Sequence, residues 1–165
     1  MKQHFILMAA YNQWANTRLY EMAAAVPETL LKKDVGVYFK SLHGTLNHLL
    51  TTDRIWMHRL DQTGSHPDRL DAVVCDDVKS LREARLLEDA RIVRFVESLG
   101  DNELDKWWEY RALDGSPHRQ PIREILAHLF NHQTHHRGQA HASLTLLGMT
   151  EPQSLDLMIM LRERR

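Results

Sequence analysis

Apolar residues recur every three to four positions through four long segments of this chain, and no long run reads as a strand. The first segment covers about residues 4–25. Phe5, Met8, Ala9, Ala15, Leu19 and Met22 form its stripe, Tyr11, Trp14 and Tyr20 add aromatic bulk, and Pro27 closes it. The second covers about residues 39–60, on Phe39, Leu42, Leu46, Leu49, Trp56, Met57 and Leu60, and ends in the turn-forming run Thr63-Gly64-Ser65-His66-Pro67. A long connection, about residues 64–79, follows. The third segment begins near Ser80, where Ser80-Leu81-Arg82-Glu83 fits a capping box, continues through Leu87, Ile92, Phe95, Val96 and Leu99, and stops at Gly100. The fourth starts near Pro121, a favourable first-turn residue, and ends near Gly148. Between them Trp107-Trp108-Glu109-Tyr110-Arg111 reads as extended and Asp114-Gly115 as a turn, which predicts a hairpin-like excursion. Residues 154–162 suit a short terminal helix.

Stripes of this kind are buried by packing against one another. The expectation is therefore an all-α, four-helix bundle in one domain over residues 1–165, with a long connection between helices 2 and 3 that leaves the up-and-down order open. A chain of 165 residues is long enough for one substantial core. The net charge of −1 argues against a broad nucleic-acid or anionic-membrane surface, so neither partner is expected. The tail Leu161-Arg162-Glu163-Arg164-Arg165 is basic but short and reads as a solvated terminus. The single cysteine, Cys75, excludes an internal disulfide; with no signal peptide and no membrane span, a cytoplasmic setting is expected. Beside Asp76 and Asp77, Cys75 is poorly placed to form a thiolate and reads as a small filler residue.

Eleven histidines are the compositional oddity. Five of them, His128, His132, His135, His136 and His141, lie in the fourth segment among Leu129, Phe130, Ala140 and Leu144. A four-residue step is about one helical turn, so His132 and His136 can point to one side and share a divalent metal. On an ideal wheel they flank the apolar face set by Ile125, Leu126, Leu129, Phe130, Ala140, Leu144 and Leu147. His135 falls further round, with His128. The pairs His128/His132 and His132/His135 compete, but His132/His136 lies nearest the core. A third ligand from elsewhere would make an open site with room for water or substrate. Pattern alone places His48 roughly 130° from the centre of the second stripe, which predicts exposure, and leaves His43 closer to the stripe as a rival.

Other residues carry alternatives. Asp53 lies on the apolar side of the second segment and needs a partner, such as an arginine or an aromatic hydroxyl or indole N–H; it could instead orient a ligand histidine or act as a base. Trp14 and Trp56 read as core. Arg137 and Gln139 flank the histidines and could grip an anionic substrate, form a salt bridge or make a subunit contact, while Gly138 suggests close helix approach.

The segment Ala127-His128-Leu129-Phe130-Asn131-His132-Gln133-Thr134-His135-His136-Arg137-Gly138-Gln139-Ala140-His141 closely resembles the last bundle helix of the DinB/YfiT-like family. So do Ser41-Leu42-His43-Gly44-Thr45-Leu46-Asn47-His48-Leu49-Leu50 and Asp53-Arg54-Ile55-Trp56-Met57-His58-Arg59-Leu60, and Tyr11-Asn12-Gln13-Trp14-Ala15-Asn16 is similar to the family's opening helix. The resemblance covers nearly the whole chain. It implies a four-helix bundle with a three-histidine site for a divalent metal, carried here by His48, His132 and His136. It also implies a homodimer and, from the wider superfamily, use of a low-molecular-weight thiol with a small electrophile in transferase or isomerase chemistry.

Three neutral imidazoles would leave the ion its full charge, enough to activate a thiol or a water near neutral pH. The expectation is a metal-dependent enzyme, thiol S-transferase-like or hydrolytic, in stress or detoxification, with zinc, nickel, manganese or iron all compatible with imidazole. The alternative is a non-enzymatic dimeric bundle with a structural or incidental metal, acting as a small-molecule binding or interaction module. The sequence assigns no catalytic acid or base. It carries no second carboxylate pair for a dinuclear centre and no Ser-His-Asp signature.

Overall fold

A computed structural model of the chain describes residues 1–164. Its helices are α1 (Lys2–Ala24), the single-turn α2 (Glu28–Leu31), α3 (Leu42–Asp61), α4 (Val78–Ser98), α5 (Ile122–Leu146) and the short α6 (Leu157–Glu163). Between α4 and α5 lies an antiparallel hairpin, β1 (Trp107–Arg111) and β2 (Pro117–Pro121), in register Trp107↔Pro121 through Arg111↔Pro117. Its turn uses Gly115 at φ 85°, a conformation open to glycine at little cost. Among the described residues, no helix is long and apolar enough to cross a membrane. The basic tail is described only to Arg164; Arg165 lies outside the described residues.

Each long helix packs mainly on two others: α1 on α4 and α5, and α3 on the same pair. Residue pairings give their directions. Asn12 and Asn16 meet Asp89 while Glu21 meets Arg82, so α1 and α4 are antiparallel. Asp53, Arg54 and Asp61 pair in rising order with Arg85, Glu88 and Arg91, so α3 and α4 run parallel. His48 lies level with His132 and Trp56 with His128, so α3 and α5 are antiparallel. The order is up, down, down, up. Two consecutive parallel helices require a crossover spanning a helix length, and the segment between α3 and α4 supplies it.

The core is divided. One apolar layer gathers Phe5, Met57, Ile92, Val96, Leu126 and Phe130; the other gathers Leu19, Leu42, Leu46, Leu49, Leu81 and Leu144. Between them, at mid-height, lies a buried polar belt of Asn12 and Asn16 (α1), Asp53 (α3), Arg85 and Asp89 (α4), and Gln133 and Arg137 (α5).

Several local expectations are corrected. The α4 cap is Asp77, whose carboxylate accepts from the Ser80 amide, so the helix begins earlier than the Ser80 capping box predicts. Leu87 is 74% exposed and lies off the stripe. Phe39 precedes α3, whose cap is Ser41, accepting from the Gly44 amide. A Cβ on Gly138 would meet nothing within 4 Å, so close helix approach does not explain that glycine. Trp14 is half-buried and not core; its indole N–H donates to Glu163 (2.9 Å).

Candidate metal centre

Three imidazoles from two helices converge beside the polar belt. Potential ligand atoms of His48, His132 and His136 all lie within 4.8 Å of one another. The Nε2 atoms of His48 and His132 are 3.1 Å apart. The ring centroids of His132 and His136 are separated by 4.4 Å, as are those of His48 and His136. The α5 pair meets because one helical turn separates the two residues.

His48 is buried, against the exposure its wheel position predicts. The physical reason is the crossover: α3 is covered by α4, by α5 and, on its third side, by the connecting chain. The His48 Nδ1–H donates to the Leu70 carbonyl in that connection (2.8 Å). Asn47 pins the same segment, its Oδ1 accepting from the amides of Val74 (2.8 Å) and Cys75 (3.0 Å) and its Nδ2 donating to the Cys75 carbonyl (3.1 Å). Phe39 closes the site from before α3, stacking on His48 at 3.8 Å between centroids. Gly44 permits this turn: a Cβ there would sit 2.2 Å from the Phe39 carbonyl oxygen.

These bonds also assign tautomers. A carbonyl accepting at Nδ1 leaves the His48 lone pair on Nε2. His136 is held likewise, its Nδ1–H donating to Gln139 Oε1 (2.8 Å) while the Gln139 amide donates to His135 Nε2 (3.3 Å). Burial, partly opposed by the Leu70 hydrogen bond, lowers the His48 pKa to about 4. Burial, reinforced by His136 and His48, lowers that of His132 to about 3. His136 is also lowered by burial. All three are therefore neutral near pH 7, as metal ligands must be.

The donor set fits a divalent ion. Two imidazole nitrogens each about 2.0–2.1 Å from one ion at tetrahedral angles lie roughly 3.3 Å apart. The 3.1 Å between the His48 and His132 Nε2 atoms is close to that spacing. The remaining candidates are directed elsewhere. The Nε2 of His43 lies 3.0 Å from the Cys75 carbonyl. His128 lies edge-on to Trp56 and outside the ligand group, and His135 faces Gln139. Cys75 is half-buried, with its thiol pKa raised by burial, in keeping with a filler role.

The polar belt lies behind the histidines. Asp53 gains the partners its position requires: an Arg85 nitrogen at 2.8 Å and the Gln133 Nε2, which donates at 2.6 Å. Arg85 also reaches Asp89 at 3.0 Å, and Asp89 accepts from Asn12 (3.1 Å) and Asn16 (3.0 Å). Arg137 is not a substrate clamp. It is buried and donates to the side-chain oxygens of Asn12 (2.6 Å) and Asn16 (3.1 Å). Gln139 is likewise engaged, with His136. Gln133 and Arg137 each follow a site histidine by one residue, so the belt fixes the rotation of α5 about its axis. The signal for the belt was the density of polar residues at helix-interior positions, Asn12, Asn16 and Asp53 among them, which no solvated face explains.

Comparison with known proteins agrees with this architecture. The DinB family model matches residues 1–161. Protein DinB of Bacillus subtilis (strain 168) is 25% identical over 146 residues, covering 84% of this chain and 83% of that protein. A crystal structure of a DinB-like protein from Bacillus cereus superposes with a TM-score of 0.72, at 19% identity, over 92% of this chain and 96% of the other. At that identity the superposition speaks for the fold.

Proposed function

Because this chain belongs to the DinB family, we propose that it is a metal-dependent enzyme that activates a small nucleophile, a thiol or water, toward a small electrophile. The observation that carries this reading is the convergence of three neutral histidines whose potential ligand atoms lie within 4.8 Å of one another, with the Nδ1–H of His48 and of His136 each held by a hydrogen bond that leaves Nε2 unprotonated. His48, His132 and His136 would hold the ion; zinc, nickel, manganese and iron all suit imidazole. A bound divalent ion supplies Lewis acidity, which lowers the pKa of a thiol or water brought to it.

The chain's own residues do the rest. The Leu70 carbonyl and Gln139 orient two of the rings, an arrangement that raises ligand basicity and fixes direction. Phe39 and the crossover shield one side of the cluster from water. The other side opens, at His48 and His132, into a cavity of about 490 Å³. A structural metal is normally closed off by protein ligands, whereas an open approach suits substrate. This favours catalysis over a structural or incidental ion.

The test is a turnover assay on metal-reconstituted protein. A panel of low-molecular-weight thiols would be paired with a chromogenic aryl halide, and a nitrophenyl ester would probe hydrolysis. The expected result is turnover by the wild type that His132→Ala abolishes. Equal rates in both proteins for every pairing would overturn the proposal.

A further inference from the structure

Arg59 ends the cavity that begins at the histidines. The cavity runs along α3 from His48 to Arg59, with apolar walls from Ile55, Trp56, Leu70 and Leu113. The Arg59 guanidinium lies 4.6 Å from the Trp56 ring centroid and 5.1 Å from that of Tyr110. The two rings are themselves 5.1 Å apart and edge-on, so the guanidinium packs against the aromatic corner they form, without a counter-ion: among the described residues Arg59 has no carboxylate within 4.0 Å, and its side chain makes no hydrogen bond. Arg54 on the same helix, and Arg85 and Arg91 on α4, all have such partners. Asp114, at the rim, is taken by the Ser116 amide (2.9 Å) and hydroxyl (2.6 Å).

A half-buried guanidinium with all its donors free is an anion site. Its planar fork matches a carboxylate in two parallel hydrogen bonds, and packing against two aromatic rings reduces the entropy lost on binding. Desolvated surroundings strengthen the pairing, and the apolar walls add burial for a hydrocarbon body.

We propose that this cavity binds the electrophilic substrate as an elongated, apolar carboxylic acid, its carboxylate on Arg59 and its other end at the histidines. The assignment of the reacting end rests on the proposed catalytic reading; the anion-binding end rests on Arg59 alone. Specificity follows: neutral analogues of the same shape bind more weakly, because they leave the guanidinium partly unpaired.

The test uses 4-phenylbutyrate and its neutral amide as probes. Their affinities for metal-reconstituted wild type, Arg59→Gln, Arg59→Lys and His48→Ala would be measured by calorimetry, with metal content and melting temperature recorded on the same samples. The expected result is that wild type prefers the acid by about tenfold or more, that Arg59→Gln removes the preference, and that Arg59→Lys keeps part of it. His48→Ala should keep the preference, which separates Arg59 from an acid bound by the ion. Equal affinity for acid and amide in wild type overturns the proposal, with no variant needed. So does an acid preference that survives Arg59→Gln, or no binding by wild type at millimolar acid. Wild type without metal, but with an Arg59-dependent preference, would overturn the catalytic reading and leave the anion site standing.

Discussion

Replacing Arg85 by methionine tests whether the polar belt holds the bundle in register. Arg85 is 2% exposed and lies 2.8 Å from Asp53 and 3.0 Å from Asp89, each 1% exposed. With Arg137, these groups form a balanced set of two cations and two anions at the centre of the fold. Methionine keeps much of the volume but leaves one negative charge uncompensated. Removing one partner of a buried pair costs about 3–5 kcal/mol, because the survivor remains desolvated. For a domain of this size, at roughly 2–4 °C per kcal/mol, the melting temperature should fall by roughly 6–20 °C. The loss should depend on pH. Burial raises the pKa of Asp89 to about 6, against the pull of Arg85, so the folded state binds that proton more tightly than the unfolded chain does. An acid raised in this way destabilises the fold as pH rises through the window from about 4 to about 6, and the penalty is complete above it. Without Arg85 the window moves higher. The deficit of Arg85→Met should therefore be largest near pH 7.5 and shrink toward pH 5, where a proton replaces the guanidinium. The added change Asp89→Asn, which removes the unpaired charge, should recover about half the loss or more. Denaturant titrations followed by circular dichroism at both pH values decide the matter. A loss under about 1 kcal/mol, a pH-independent loss, or a double variant weaker than the single one would refute the argument.

Three further outcomes follow from named contacts. Gln139→Leu removes the acceptor from His136 Nδ1, so metal affinity by chelator competition should drop about 10–100-fold with little change in melting temperature. Gly44→Ala forces a Cβ into the Phe39 carbonyl; it should cost about 1–3 kcal/mol in denaturation and weaken the Phe39–His48 proton contacts seen by NMR. Asn47→Ala strips the amides of Val74 and Cys75 of their acceptor; it should cost about 1–3 kcal/mol and speed hydrogen exchange at those two amides.

Periodicity located the helices because each stripe has to be buried, and the hairpin was legible from Asp114-Gly115. The order of the helices was not legible from periodicity. The parallel run of α3 and α4 depends on contacts such as Asp53–Arg85, which no local pattern encodes. Capping erred because Asp77 and Ser80 both carry cap chemistry, and only Asp77 has the extended backbone of a cap. The α5 pair His132/His136 was readable from its spacing. His48 was not, since a single-stripe wheel assumes that the opposite face is solvated, and here the crossover covers it through Leu70 and Asn47. The resemblance supplied what the wheel could not. Arg59 carries no sequence signal of a site, because an arginine near a helix C-terminus normally reads as a solvated, dipole-complementing charge.

One ion shared by His48, His132 and His136 lies at the centre of the proposed chemistry. Elemental mass spectrometry of purified wild type, His48→Ala and His43→Ala measures it directly. The prediction is about one divalent ion per chain in wild type, retained in His43→Ala and lost in His48→Ala. Equal metal in wild type and His48→Ala, or none in wild type after exposure to zinc, nickel, manganese and iron, would contradict it.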